Sequence, residues 1–199
     1  KLFNAGSGQF FGDNKNNFYN LNSKLAPQSP YGVSKAASFW LTKIYRENYG
    51  IYCCTGVLFN HESSLRSKEF VTKKIIDVSK KILRNKNLKL ELGNINIYRD
   101  WGWAPEYVEA IWLMLQQKKP RDLIIGSGKI FSLKDFVNEV FNLLNISKKN
   151  LRINVKKFKR KLDIRSYKAD IKLTKKVLKW QPNIKFKKIV YKMVKDELF

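Results

Sequence analysis

The stretch IYCCTGVLF, Ile51 to Phe59, is a nearly continuous apolar run of strand type. A run of this kind reads as a strand buried on both faces, the habit of a parallel sheet. Working outward, the preceding segment reads as a helix. Ser29 can cap it, Pro30 suits its first turn, and it runs to about Tyr49 before Gly50 ends it. Earlier still, KLFNAGS (Lys1 to Ser7) reads as a short buried strand breaking at Gly6, followed by an Asn-rich polar loop. Downstream, NHESSLRSKE reads as a polar loop, and a second helical pattern spans Phe70 to about Leu83. LKLELGN and DLIIGSG look like strands, and APEYVEAIWLMLQQ has helical spacing. Ser132 with Asp135 opens a further helix in the manner of a capping box. A basic stretch, Lys156 to Lys161, leads to two C-terminal helices. Strands alternating with helices give an α/β fold.

The 199 residues are 44% apolar and 14% aromatic, enough for a real core and unlike a disordered chain. The only cysteines, Cys53 and Cys54, are adjacent, which argues against a disulfide framework and for a reduced, buried pair in a cytoplasmic protein. No apolar run approaches the roughly 20 residues of a membrane span, so no membrane partner is expected. The chain opens KLFNAGSG, without a methionine and as though inside a strand, and reads as a fragment or a processed chain. Its net charge of +24 fits an anionic partner. Lys, Asn and Ile are all abundant and the cations are spread throughout, the composition of an AT-rich genome. No basic-aromatic nucleic-acid module is visible, so no nucleic-acid partner is expected.

An α/β chain invites a search for a nucleotide loop. GSGKIFS at Gly126 lacks the first glycine of a phosphate loop and the Ser/Thr after its lysine, and no G-x-G-x-x-G occurs anywhere. The sheet therefore lacks its usual phosphate-binding first strand and turn. SPYGVSK, Ser29 to Lys35, is more informative. Residues four apart on a helix share a face, so Tyr31 and Lys35 can point together. A free phenol titrates near ~10, and a neighbouring ammonium favours the phenolate, which suits proton abstraction near neutral pH. Ser7, at a strand end, could bond the same substrate oxygen.

Ser7, Tyr31 and Lys35 in strand–loop–helix order resemble the constellation of the extended short-chain dehydrogenase/reductase family. LFNHES, FVTKKI, RDWGWAPEYVEAIW and ADIKLTKKVLKWQP sharpen this into a resemblance to the GDP-mannose 4,6-dehydratases over nearly the whole chain. The family's N-terminal half-sheet with its glycine-rich loop is absent. The resemblance implies a partial Rossmann-like parallel sheet with flanking helices, plus a smaller C-terminal substrate-binding α/β part. Residues 1–62 would be the remainder of the dinucleotide-binding domain and 63–199 mainly substrate-binding, with segments around 95–118 returning to the sheet.

The resemblance also implies a reaction. In that family tightly held NADP takes a hydride from sugar C4, water leaves across C5 and C6, and the hydride returns to C6, giving GDP-4-keto-6-deoxymannose. Tyr31 matches the acid/base, Lys35 its partner and a cofactor contact, and Ser7 the hydroxyl position. His61 and Arg66 match cofactor contacts. Asn60, Lys74, Arg99 and Arg160 approach the GDP-sugar, or a related nucleotide sugar, and full-length members form dimers or tetramers. The departures concern dehydration. Where the family has SSE or TSE this chain has SGQ, so Gln9 stands at the glutamate that removes the C5 proton, and an amide cannot take up that proton. Ser64 and Lys161 also replace usual prolines. A nucleotide-sugar reductase or epimerase needs the Tyr-Lys couple but not the glutamate. It is the alternative reading, together with a catalytically impaired remnant.

Overall fold

A computed structural model describes residues 1–13, 18–158 and 166–197. Along the chain run β1 (Leu2–Ser7), β2 (Phe18–Tyr19), α1 (Pro30–Tyr49), β3 (Cys53–Leu58), β4 (Asn60–Glu62) and α2 (Val71–Arg84). There follow β5 (Leu90–Leu92), β6 (Tyr98–Arg99), β7 (Trp101–Trp103), α3 (Ala104–Gln116), β8 (Leu123–Ile125), β9 (Phe131–Ser132) and α4 (Leu133–Leu143). The rest are β10 (Leu151–Ile153), β11 (Ser166–Ala169), α5 (Lys172–Leu178) and α6 (Phe186–Lys195).

The apolar run around Cys53 is the centre of the molecule. β3 pairs in parallel with β1 on one side and β8 on the other. Residues 53–57 are all buried, as a strand covered on both faces must be. On one face Val57 and Ile124 meet Ala36 of α1 and the partly buried Phe39. On the other, Cys54, Leu123 and Ile125 meet Tyr107, Ala110 and Met114 of α3 and Leu178 of α5. Thr174 Oγ1 fastens α5 to β8 by donating to Ile124 O at 2.6 Å. Both cysteines are free and buried, and burial pushes the Cys54 thiol up to about 11. A second core joins α2, α4 and α6 around Trp101, Trp103, Leu90 and Leu92. The Ser132–Asp135 capping box forms in full at the start of α4.

Three local expectations change. The Asn-rich segment is not a loop throughout, since Phe18 and Tyr19 pair in parallel with Lys168 and Ala169. β1 does not break at Gly6 but continues to Ser7, where Gly6 and Ser7 pair with Val57 and Leu58, and a Cβ at Gly6 would lie 2.6 Å from Thr55 Cγ2. The glycine serves close contact between strands rather than a turn. NHESSLRSKE is not a loop throughout: Asn60, His61 and Glu62 pair in parallel with Trp101, Gly102 and Trp103. This pairing also explains RDWGW. A Cβ at Gly102 would come within 2.3 Å of the Tyr107 ring, so only glycine lets that ring lie against β7. Asp100 is buried beside it and accepts from Ser127 N, Gly128 N and Ala169 N at 2.6, 2.9 and 3.1 Å. The amides of the GSGK segment are therefore spent on a carboxylate, consistent with its failure as a phosphate loop. Burial raises the Asp100 carboxyl to about 6, against the pull of those hydrogen bonds.

Candidate active site

The site forms where α1 passes the C-terminal end of β1. Ser29 Oγ accepts from Gly32 N at 3.0 Å, and Pro30 opens the helix, so its first turn is fixed. Arg46, in its last turn, makes a bidentate pair with Asp122 at 2.6 and 2.8 Å, and Asp122 also accepts from Thr55 N at 2.7 Å. A helix so held at both ends carries Tyr31 and Lys35 on one face. The Lys35 ammonium donates to Ala5 O of β1 at 2.9 Å and lies 5.6 Å from the Tyr31 ring centroid. Ser7, the last residue of β1, caps the short 3-10 turn that follows, accepting from Gln9 N at 3.3 Å.

A cavity of about 470 Å³ opens here, and the residues expected from the sequence meet in it: Ser7, Gln9, Tyr31, Lys35, Asn60, His61 and Arg66. Ser7 is buried whereas Tyr31 is half exposed at the mouth. His61 Nδ1 lies 2.9 Å from Phe59 O. Burial pushes its pKa down, the backbone hydrogen bond pushes it up, and the Arg66 charge lowers it further. The net shift favours the neutral imidazole. Arg66 stacks over Phe70, its guanidinium carbon 3.5 Å from the ring centroid. Its Nε lies 3.4 Å from Glu62 Oε2, an ion contact without the alignment of a hydrogen bond. Glu62 is almost fully buried and accepts from Thr72 Oγ1 at 2.8 Å. Burial raises its carboxyl to about 7, with Arg66 and Thr72 pulling the other way. Lys35 and Arg66 give the cavity wall two cations, which suits a ligand carrying phosphate.

The remaining expected residues lie elsewhere. Lys74 lines a neighbouring cavity of about 490 Å³ with Gly93, Asn94 and Phe158, its ammonium donating to Glu91 O at 3.0 Å and lying 4.5 Å from the Phe158 ring. Arg99 sits beside the first cavity, its guanidinium 5.3 Å from the Tyr167 ring and donating to Tyr98 O at 2.8 Å. Arg160 and Lys161 lie outside the described residues. Tyr167 is not among the residues that the sequence singles out. Its side chain nevertheless lines the first cavity, and its hydroxyl donates to Asn60 Oδ1 at 2.7 Å. A larger cavity of about 600 Å³, floored by Trp101, Phe131 and Phe186, contains none of these groups, so size alone does not mark the site. No cluster able to hold a metal ion occurs among the described residues.

The fold has solved counterparts. The dTDP-glucose 4,6-dehydratase of Bacillus anthracis in complex with NAD superposes with a TM-score of 0.87 at 20% identity, over 98% of this chain and 60% of that one. RMD from Pseudomonas aeruginosa complexed with NADPH gives 0.87 at 17% identity, over 98% and 66%. The UDP-N-acetylglucosamine 4-epimerase of Methanobrevibacter ruminantium gives 0.85 at 21%, over 98% and 61%. At these identities the likeness establishes the class of fold alone, a Rossmann-like α/β architecture. Sequence narrows it. The family profile described as GDP-mannose 4,6 dehydratase matches residues 1–193, and the chain belongs to that family. GDP-mannose 4,6 dehydratase 1 of Arabidopsis thaliana is 39% identical over 198 residues, covering 100% of this chain and 55% of the relative. The human GDP-mannose 4,6 dehydratase is 32% identical over 212 residues, covering 98% and 57%. The chain thus spans a little over half the length of these relatives.

Proposed function

We propose that this chain carries the proton-transfer and part of the sugar-binding machinery of a GDP-mannose 4,6-dehydratase, using NADP. One observation carries the reading: the Lys35 ammonium, bonded to Ala5 O, stands beside Tyr31 in the cavity that Ser7 lines. The wall of that cavity fits a phosphorylated dinucleotide, with small residues at Ala5 and Gly6 and cations at Lys35 and Arg66. When bound, the nicotinamide supplies acceptance and return of a hydride.

The chain's own residues do the rest. Tyr31 would take the proton from the sugar C4 hydroxyl, Ser7 would donate a hydrogen bond to that oxygen, and Lys35 would hold the nicotinamide ribose. His61 and the Arg66 guanidinium would contact the cofactor. Asn60 would approach the sugar nucleotide, Lys74 from the neighbouring cavity and Arg99 from the flank of the first; Arg160 is kept as a further substrate contact on the resemblance alone. We read residues 1–62 as the dinucleotide-binding remainder and 63–199 as mainly substrate-binding, with residues 95–118 returning to the sheet. That return is supported by α3 packing on β1 and β3. The assembly is a homo-oligomer in the cytoplasm, as the buried free thiols favour; no helix among the described residues is long and apolar enough to cross a membrane.

Gln9 favours a second reading. An amide lining the cavity at the base position leaves Tyr31 and Lys35 able to serve a reductase or epimerase, and leaves C5 deprotonation without its base. Incubating the longest natural polypeptide that carries these residues with NADP and GDP-mannose separates the two. A 4-keto product supports the dehydratase. Unchanged GDP-mannose, with turnover of a 4-keto sugar nucleotide instead, selects the reductase.

A further inference from the structure

Tyr167 comes from the second residue of β11, 107 positions away from the Asn60 whose amide it contacts. Its strand is pinned in parallel between β2 and β6, and its ring leans on Phe59 with centroids 5.1 Å apart and meets Tyr19 edge-on at 6.3 Å. A ring that merely fills a core needs no hydroxyl. Here the hydroxyl is carried into a largely apolar setting, with the side chain 4% exposed, and aimed at Asn60, which with His61 is one of two polar residues of β4 that line the cavity.

Gly8 adds a second, independent observation. A Cβ at Gly8 would lie 3.0 Å from Tyr167 Cε2 and 3.2 Å from Phe59. The aromatic ring therefore takes up the space that a side chain between Ser7 and Gln9 would fill.

From this packing we propose that Tyr167 is a positioning residue of the active site: its phenol clamps the Asn60 amide so that the amide N–H donors face an oxygen of the bound nucleotide sugar. The Asn60 Nδ2 has no hydrogen-bond partner among the described residues while its Oδ1 is engaged. With the phenol O–H donating to Oδ1 at 2.7 Å, the polar group the amide has left for a ligand is its Nδ2 donor. Burial raises the phenol to about 12, and it stays a protonated donor across the neutral range instead of competing with Tyr31 as a base. The oxygen it serves belongs to the diphosphate or to the hexose, both being acceptors of the same chemistry.

The inference rests on the reading of the cavity as a nucleotide-sugar site, and its test keeps the two apart. Tyr167→Phe preserves the ring and removes only the hydroxyl. In the longest natural polypeptide that carries this chain, calorimetric titration with GDP-mannose and with GDP is compared for wild type, Tyr167→Phe, Asn60→Ala and the double variant. Tyr167→Phe is expected to weaken GDP-mannose binding by roughly 5–20-fold, and to add nothing once Asn60 is alanine. An equal loss for GDP assigns the contact to the diphosphate, and a loss for GDP-mannose alone assigns it to the hexose. Unchanged affinity in Tyr167→Phe, or effects that simply add in the double variant, would overturn the clamp while leaving the site intact. A wild type that binds neither ligand would overturn the nucleotide-sugar reading itself, and the clamp with it.

Discussion

At residue 9 an amide stands in a cavity that also holds a hydroxyl, a phenol and an ammonium. The geometry of the other three does not depend on it, since Gln9 contributes its backbone N–H to Ser7 Oγ. Gln9→Glu should therefore restore a carboxylate without disturbing the Tyr-Lys couple. Measured as 4-keto product formed at saturating GDP-mannose, the variant is expected to gain ~10²–10⁴-fold. An unchanged rate would put the deficit in some other residue. Glu62 behaves differently because it is buried. Its folded pKa, about 7, exceeds the ordinary 4.5, so the folded state binds the extra proton. The stability it contributes is complete below the unfolded value and is lost as pH rises through about 7. Glu62→Gln keeps an acceptor for Thr72 and removes the titration. The variant's thermal midpoint, compared at pH ~5 and ~8, should fall less than that of the wild type; parallel curves would mean that Glu62 does not titrate in this window. Gln9 is noticeable in the sequence because it interrupts a motif. Glu62 lies inside a matching motif, NHES, and only its burial beside Thr72 and Arg66 reveals a shifted carboxyl.

Elements long enough to carry a period are legible in the sequence. α1, with its serine cap and closing glycine, and α4, with its capping box, start where side-chain oxygens meet orphan amides. The apolar run of β3 marks a strand covered on both faces. β2, β6 and β9 are two residues each, too short for any alternation to register. They exist because tertiary contacts hold them, and Asp100 is one such contact, joining the β6–β7 junction to the 127–128 turn and to β11. This also explains why no sequence pattern points to Tyr167. Its partner is 107 residues away, and the strand that delivers it is fixed by pairing rather than by periodicity. Asp100→Asn tests the junction. Oδ2 receives two N–H donors and Oδ1 a third, so an amide must present its own N–H groups to at least one donor. The expected cost is about 2–4 kcal/mol, seen as a lower denaturant midpoint with an unchanged slope. A cost below about 0.5 kcal/mol would show that the network relaxes without it.

For the molecule as a whole, the outer face of α1 is out of keeping with a chain that carries +24 net charge. Trp40, Leu41, Ile44, Tyr45 and Tyr49 recur there at three- and four-residue spacing, and each is between 44% and 68% exposed. Trp40 also carries the Lys43 ammonium 5.3 Å from its ring centroid, an arrangement compatible with water or with a partner. The inner face of the same helix is spent on the sheet through Ala36 and Phe39. A helix with apolar residues on two faces has one of them left for a partner, and exposed apolar residues clustered in this way mark an interaction site. Two copies meeting through α1 would bury it, at the expense of bringing two strongly cationic surfaces together. Those opposing terms respond differently to salt. Repulsion between exposed charges is screened over roughly 10 Å at 0.1 M and 3 Å at 1 M, whereas burial of aromatic surface is not weakened. Light scattering on the longest natural polypeptide should therefore give the mass of a dimer or tetramer, with association tightening as salt rises. Leu41→Glu with Tyr45→Glu, both on the outer face, should shift the mass toward the monomer while the folded circular dichroism signal persists. Association that weakens with salt would assign the contact to ion pairs, and a monomer at every salt concentration would leave α1 to some other covering.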